Sequence, residues 1–182
     1  GLCTEAISAK PLADVLMKEL GIELTTKVHA ACDNTLSCEK FVRRNFGPTH
    51  FAGDIFQRDF AASTFKCKLC DKPTCPLPLS GIDLYWGSLP SAPWSTMGKR
   101  LGLADKQADV CWQVIKTINH VQPVMFVIEA LSDVQFGAAD ADLSSINLFM
   151  EEQFGDRYHT LIVQDITPMQ HGYALDKKRL LV

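Results

Sequence analysis

Short apolar runs alternate with amphipathic helical segments along most of this chain, and this alternation limits the folds that it can adopt. The run Val124–Ile128 is wholly apolar, and it follows the segment Asp105–Val121, whose apolar residues recur at helical spacing. Strands that alternate with helices pack as a mostly parallel sheet with helices on both faces. We therefore predict an α/β fold that forms a single domain over residues 1–182, a length sufficient for a sizeable core.

The other predicted elements come from the same patterns. A helix is predicted to begin near Ser8 and to end at Gly21. Further strands are predicted over 28–32, 50–52, 82–86, 160–164 and 178–182, and further helices over 34–46 and 143–154. Segment 56–80 contains Pro and Cys in irregular order and shows no clear period, so it is predicted to be an insertion loop.

Charge and composition narrow the possible functions. The formal net charge of −3 lacks the basic surplus of a protein that holds DNA alone, so nucleic-acid contacts would come from local patches or from another part of the protein. No stretch approaches the ~20 apolar residues of a membrane span, and no membrane partner is predicted. The seven Cys are odd in number and scattered, which favours an intracellular protein, nuclear in a eukaryote.

Polar residues stand where the predicted strands end. Asp33, Asp54 and Glu129 each follow an apolar run. Parallel strands bring their carboxyl ends to one edge of the sheet, where α/β folds bind ligands. An acid there can accept hydrogen bonds from both hydroxyls of a ribose, but Asp is also a common helix cap. For Asp33 taken alone, the two interpretations are equally good.

The segment Gly87–Ser95 combines a strand exit with a Pro-X-X-Pro turn, which places Ser91 on a stiff loop. A second loop, Gly98–Gly102, follows it. This pair of motifs resembles the catalytic loop of the DNA cytosine-5-methyltransferases, which reads Pro-Cys-Gln (or Ala)-Pro-Phe/Trp-Ser. Ser91 stands at the position of that family's nucleophilic cysteine. The resemblance covers essentially the whole chain, in the family's motif order.

The resemblance implies a Rossmann-like sheet that binds S-adenosylmethionine. Asp33 resembles the acid that binds the ribose of that cofactor, and Gly53-Asp54-Ile55 resembles the segment that holds its adenine. Gly1 resembles the first glycine of the cofactor loop, while Cys3 replaces a later one. A Cβ at that position crowds the approach to a ligand, which predicts weakened affinity. The implied cofactor-binding set is Gly1, Asp33, Asp54, Ile55 and Pro90.

The resemblance also assigns catalytic and DNA-binding positions. Glu129 resembles the glutamate that contacts the N3 edge of cytosine and promotes attack at C6. Arg179 matches the second arginine of the family's tail motif, and Lys177 replaces the first. Lys99 and Arg100 lie between glycines in a loop suited to phosphate contacts, and DNA is the implied partner.

Departures from the family pattern occur at three further positions. Ala130 replaces the asparagine that follows the glutamate, Leu175 replaces the glutamine of the tail, and Lys177 loses the bidentate fork of arginine. We also expect a fragment that lacks the family's first strand, its target-recognition domain and the C-terminal part that completes the cofactor pocket.

Ser91 bears directly on activity. A cysteine thiol ionises near pH ~8.5, so a thiolate is accessible for attack at C6 of a flipped cytosine. A serine hydroxyl is far less acidic and needs an adjacent general base, for which Glu129 is the one candidate evident in the sequence. We predict a catalytically impaired methyltransferase. A non-catalytic module that binds cofactor or partner, and a tRNA-directed relative, are the alternatives.

A metal site is not assigned from the sequence. Cys67, Cys70 and Cys75 are clustered, but zinc requires a fourth ligand that would have to come from elsewhere, for example from His50. The sequence alone therefore favours a cysteine-containing loop without metal.

Overall fold

A computed structural model describes residues 14–77, 81–95, 98, 101–131, 143–172 and 178–182 of the chain. It contains both helices and strands, which confirms a mixed α/β protein. The chain divides into two compact units, Gly1–Leu79 and Ser80–Val182. None of the helices in the described ranges is both long and apolar enough to cross a membrane.

The described part of the first unit begins in helix α1, which is described over residues 14–20. It ends at Gly21, as predicted, because Gly21 adopts a left-handed conformation with φ +66°. The Gly21 N–H donates to the Met17 carbonyl over 3.0 Å, which closes the last turn. The predicted start near Ser8 lies outside the described residues.

A parallel strand pair with a connecting helix forms the core of this unit. Strand β1 (Ala30–Cys32) pairs with β2 (His50–Ala52), and α2 (Leu36–Phe46) connects them. The predicted bounds of β2 are confirmed residue for residue. Helix α2 begins two residues later than predicted because Thr35, its N-cap, keeps an extended backbone. Phe51 of β2 is fully buried.

Segment 56–80, predicted as a loop, contains short strands in its described part. Strands β3 (Arg58–Asp59), β4 (Thr64–Phe65) and β5 (Cys75–Pro76) form an antiparallel sheet. Each strand has only two residues, so no period of two can be detected in the sequence. A small buried cluster packs around this sheet, and its members are Ala52, Phe65, Cys67, Cys75 and Leu77.

The second unit contains a four-stranded sheet in the order β6-β7-β9-β8. Its strands are β6 (Leu84–Ser88), β7 (Met125–Leu131), β8 (Val163–Ile166) and β9 (Arg179–Leu181). Strands β6 and β7 are parallel, whereas β9 is antiparallel to both β7 and β8. Three strands of this sheet therefore share one direction and β9 opposes them, so that in the described sheet β6 and β7 are the one directly paired parallel neighbours and β9 pairs antiparallel on both sides.

Among its described residues, the second unit contains the α-helices α3 (Asp109–Val121) and α4 (Leu143–Phe154). Helix α3 was expected from residue 105, but Asp105 instead caps a short 3₁₀ turn by accepting a hydrogen bond from the Gln107 N–H over 2.9 Å. The apolar face predicted for α3 comprises Val110, Val114, Ile118 and Val121; the last three are buried and Val110 is partly buried.

Candidate functional site

The loop that follows β6 presents Ser91 to solvent. Its first residue is anchored to the sheet, since the Leu89 N–H donates to the Glu129 carbonyl over 2.8 Å. The Ser91 carbonyl then accepts hydrogen bonds from the N–H groups of Trp94 (3.1 Å) and Ser95 (2.9 Å). Ser91 thus begins a tight turn close to the carboxyl end of the strand, as the Pro-X-X-Pro pattern predicts.

Buried residues within the Ser91 loop anchor it to the protein. Pro93 and Trp94 are buried, and the Pro93 carbonyl accepts a hydrogen bond from Gly102 over 3.0 Å. Gly98 lies against Ala92 so closely that a Cβ there would overlap the Ala92 carbonyl oxygen. The loop conformation therefore requires a glycine at position 98.

Glu129 and Arg179 meet on one face of the sheet. Glu129 lies on β7 and Arg179 on the antiparallel neighbour β9, and Arg179 Nε is 2.7 Å from Glu129 Oε1. The other carboxylate oxygen, Oε2, accepts a hydrogen bond from Ser88 Oγ over 3.1 Å. Ser88 lies opposite Glu129 in the parallel register of β6 and β7. Both oxygens of this carboxylate are therefore engaged, and the group is oriented by two strands.

Asp33 and Asp54 follow the neighbouring strands β1 and β2 in the first unit. Asp33 Oδ1 accepts a hydrogen bond from the Thr35 N–H (2.8 Å), and Asp54 Oδ1 accepts one from the Phe56 N–H (3.0 Å). Partial burial raises the pKa of Asp33, but hydrogen bonds to its carboxylate, including that from Thr35, outweigh burial and lower the pKa overall. Both carboxylates thus fix the turn that follows their strand, and Ile55 opens the 3₁₀ turn after Asp54.

Asp33 and Asp54 both influence the pKa of the Cys32 thiol. Burial is the largest influence and raises the pKa of the Cys32 thiol; the charges of Asp54 and Asp33 raise it further, while Arg58 opposes them. Two carboxylates from adjacent strand ends therefore act on the same thiol, as expected where parallel strands end together.

An ion pair between a buried glutamate and an exposed lysine lies beside Gly53. Lys68 Nζ is 2.7 Å from Glu39 Oε2, and Glu39 on α2 is only 7% exposed. The Lys68 side chain passes Gly53 so closely that a Cβ on Gly53 would overlap it. Interaction with Lys68 is the leading cause that lowers the pKa of Glu39. This pair was not predicted, because its partners are separated by 29 residues and belong to no motif.

A cluster of thiols and one imidazole lies at the start of β2. His50, Cys67, Cys70 and Cys75 bring their donor atoms within 4.8 Å of one another. Burial raises the pKa of Cys67, but hydrogen bonds from the backbone, Leu69 among the donors, and from His50 outweigh it and lower that pKa to about 6. Hydrogen bonds with Cys75 and Cys67 raise the pKa of Cys70 to about 12.

The structure brings some of the predicted site residues together, and others lie outside the residues that it describes. It brings Glu129 and Arg179 together, and it places Asp33 and Asp54 at adjacent strand ends. Pro90 is half-buried at the entrance to the Ser91 loop. Four predicted positions lie outside the described residues, namely Gly1, Lys99, Arg100 and Lys177. Ser88 was missed, because it lies beyond the predicted strand 82–86 and its pairing with Glu129 comes from the register of β6 and β7.

Comparison with known proteins places this geometry in a family. Residues 16–152 match the family model for C-5 cytosine-specific DNA methylases. This match covers well over half of the chain and includes Asp33, Asp54, Ser91 and Glu129. No curated protein matches the chain significantly.

Proposed function

Because the chain belongs to the C-5 cytosine-specific DNA methylase family, we propose that it is a cofactor- and DNA-binding domain of this family whose nucleophilic step is impaired. The proposal rests on one observation above all. The exposed loop residue at the position of the family's cysteine nucleophile is Ser91. The family's reaction begins when a thiolate adds to C6 of cytosine, after which C5 takes the methyl group.

The surroundings of Ser91 support the loss of that step. Deprotonation of a serine hydroxyl needs a general base held against it. Glu129, the candidate base from the sequence, already binds Arg179 and Ser88 through its two carboxylate oxygens. The pairing of Glu129 with Arg179 instead suits a group held ready to contact a base edge, which is the role that the family resemblance implies.

The ends of β1 and β2 support S-adenosylmethionine as the ligand. Asp33 and Asp54 occupy the positions of the family's ribose and adenine contacts, and both lie beyond parallel strands of one sheet. Each uses Oδ1 for a backbone hydrogen bond, which orients the carboxylate that would accept the ribose or adenine donors. The bound cofactor would supply an electrophilic methyl group.

The connections between parallel strands support a Rossmann-like arrangement. Helix α2 connects β1 to the parallel strand β2, and α3 lies between the parallel strands β6 and β7. Such strand–helix–strand units, with ligand-binding residues at the carboxyl ends, are typical of this class. DNA is the substrate that the family implies, and the exposed Ser91 turn is the part of the loop that would face it.

Restoration of the thiol tests the proposal. The unsubstituted protein should transfer no measurable label from methyl-labelled S-adenosylmethionine to cytosine-containing duplex DNA, whereas Ser91→Cys should do so. Ser95→Cys, which introduces a thiol four residues away in the same loop, serves as the matched control and should remain inactive. Equal transfer by the unsubstituted protein and by Ser91→Cys would contradict the loss of function, and transfer by Ser95→Cys but not by Ser91→Cys would contradict the assignment of position 91.

A further inference from the structure

The geometry points to a structural zinc site formed by His50, Cys67, Cys70 and Cys75. The four donor atoms are His50 Nδ1 and three sulfur atoms, and all of them lie within 4.8 Å of one another. The sequence supplies three clustered cysteines, and the fold supplies the fourth ligand from 17 residues upstream.

The distances within this His/Cys cluster fit a tetrahedral ion. Cys67 Sγ lies 3.5 Å from Cys70 Sγ, and His50 Nδ1 lies 3.8 Å and 3.5 Å from these two sulfur atoms. With zinc bonds of about 2.3 Å to sulfur and about 2.0 Å to nitrogen, the edges of a tetrahedron are about 3.5–3.8 Å long. One ion at the centre would therefore reach these donors with only small shifts of the side chains.

The chemistry of the donor set selects zinc. Three thiolates and one imidazole form a Cys₃His set, which is one of the common sets for structural zinc, and soft thiolate ligands disfavour magnesium and calcium. Four protein ligands leave no open position for water or substrate, so the site would be structural.

The surroundings of the His/Cys cluster are those of a protected metal site. Cys67 and Cys75 are buried, 7% and 2% exposed, and Phe65 packs edge-on against the His50 ring. The Leu69 N–H donates to Cys67 Sγ over 3.4 Å, and a backbone donor of this kind stabilises a ligating thiolate. His50 and Cys67 are thereby oriented by groups of the same unit.

The position of the cluster indicates what the ion would do. His50 begins β2, whereas Cys67 and Cys70 follow β4 and Cys75 lies on β5. Sheet β3-β4-β5 has strands of two residues each, which are too short for independent stability. Zinc would fasten this small sheet to the strand whose far end carries Gly53 and Asp54.

Metal content of the intact chain, purified under reducing conditions and dialysed against zinc, tests the site. We expect about one zinc ion per chain. Cys70→Ser should lower the content to less than about a tenth of that value. Cys38→Ser, a partly exposed cysteine on α2 outside the cluster, is the matched control and should retain the ion. A metal-free chain, or equal zinc content in both variants, would overturn the site.

Two further experiments test the site if Cys70→Ser fails to fold, one with another variant and one with the unmodified chain. His50→Cys should retain zinc, because four thiolates also bind it, and cobalt substitution should then show stronger sulfur-to-cobalt charge transfer. In the unmodified chain, a chelator should expose Cys67, Cys70 and Cys75 to alkylation, while labelling of Cys38 stays constant. Identical labelling with and without chelator, or a disulfide between Cys67 and Cys70, would contradict the proposal.

Discussion

The acids of the two units are held in different ways. Asp33 and Asp54 bind backbone N–H groups only two residues away. Glu129 binds the side chains of Ser88 and Arg179, which are separated from it by 41 and 50 residues. A hydrogen bond of the first kind forms within the turn that the acid begins, whereas the contacts of Glu129 come from the pairing of β6, β7 and β9. The orientation of Glu129 therefore depends on the whole four-stranded sheet.

The largest expected change in the free energy of unfolding comes from a buried residue on the strand that leads to Asp54. Phe51 lies between His50 and Ala52 on β2 and is fully buried. Phe51→Ala should lower the free energy of unfolding by about 3–5 kcal/mol, because it leaves a cavity beneath the strand that leads to Asp54. Urea denaturation measures the change.

Phe56 provides the matched control for that substitution. Its side chain is 49% exposed and lies beyond Asp54 in the 3₁₀ turn. Phe56→Ala should lower the free energy of unfolding by less than about 1 kcal/mol. Equal losses from both substitutions would show that β2 does not anchor this region.

The next largest loss of stability is expected from the ion pair between Glu129 and Arg179. Arg179→Ala should lower the free energy of unfolding by about 1–2 kcal/mol, because a hydrogen bond to a charged group contributes about 1.5–3 kcal/mol and this pair is partly solvated. A double-mutant cycle with Glu129→Gln isolates the interaction energy between Glu129 and Arg179.

The neighbouring pair Lys178–Asp165 is the control. Its charged atoms are 3.7 Å apart and both side chains are about 60% exposed, so Lys178→Ala should change the free energy of unfolding by less than about 0.5 kcal/mol. Comparable losses at both positions would contradict the special role of the Glu129 pair.

A smaller effect is expected at Asp54. Asp54→Ala removes the acceptor for the Phe56 N–H and should lower the free energy of unfolding by about 0.5–1 kcal/mol. Asp54→Asn retains an oxygen acceptor and should preserve most of this contribution, as chemical denaturation would show. Equal losses in the free energy of unfolding for both variants would show that the hydrogen bond to Asp54 Oδ1 does not stabilise this turn.

The smallest effect is confined to acid pH. The pKa of Asp33 is lowered in the folded protein, so the unfolded chain binds the proton first as pH falls. The contribution of Asp33 to stability is therefore present above its ordinary pKa of about 4 and is lost as pH falls through the lower folded value. Asp33→Asn should reduce the pH dependence of unfolding below pH ~4. An unchanged acid limb in denaturation curves from pH ~6 to ~2 would contradict this account.

Local signals explain which parts of the fold were predictable. Strand β2 and the ends of α1 and α2 at Gly21 and Gly47 follow from apolar runs and from glycines that adopt positive φ. The start of α3 was wrong by four residues, because Asp105 caps a 3₁₀ turn before the helix. The antiparallel direction of β9 leaves no local trace in the sequence, since direction depends on the path of the chain between strands.

The candidate site was predictable to a similar extent. Motif positions identified Ser91, Glu129 and Arg179 separately, but the contact between Glu129 and Arg179 comes from strand pairing. Similarly, the fourth member of the His/Cys cluster required the fold, because the antiparallel bridge between Ala52 and Cys67 brings β2 beside the thiols. Spacing along the chain reports only local neighbours, and both arrangements join distant segments.

Calorimetric titration of the chain with S-adenosylmethionine tests most directly whether the cofactor side of the site is retained while the nucleophile is replaced. We expect saturable binding that Asp33→Ala weakens and Ser91→Ala leaves unchanged, because the family resemblance assigns Asp33 to the ribose of the cofactor and Ser91 to the attack on cytosine. No binding at cofactor concentrations of about 1 mM, where an affinity of about −4 kcal/mol would still be detected, would contradict the account.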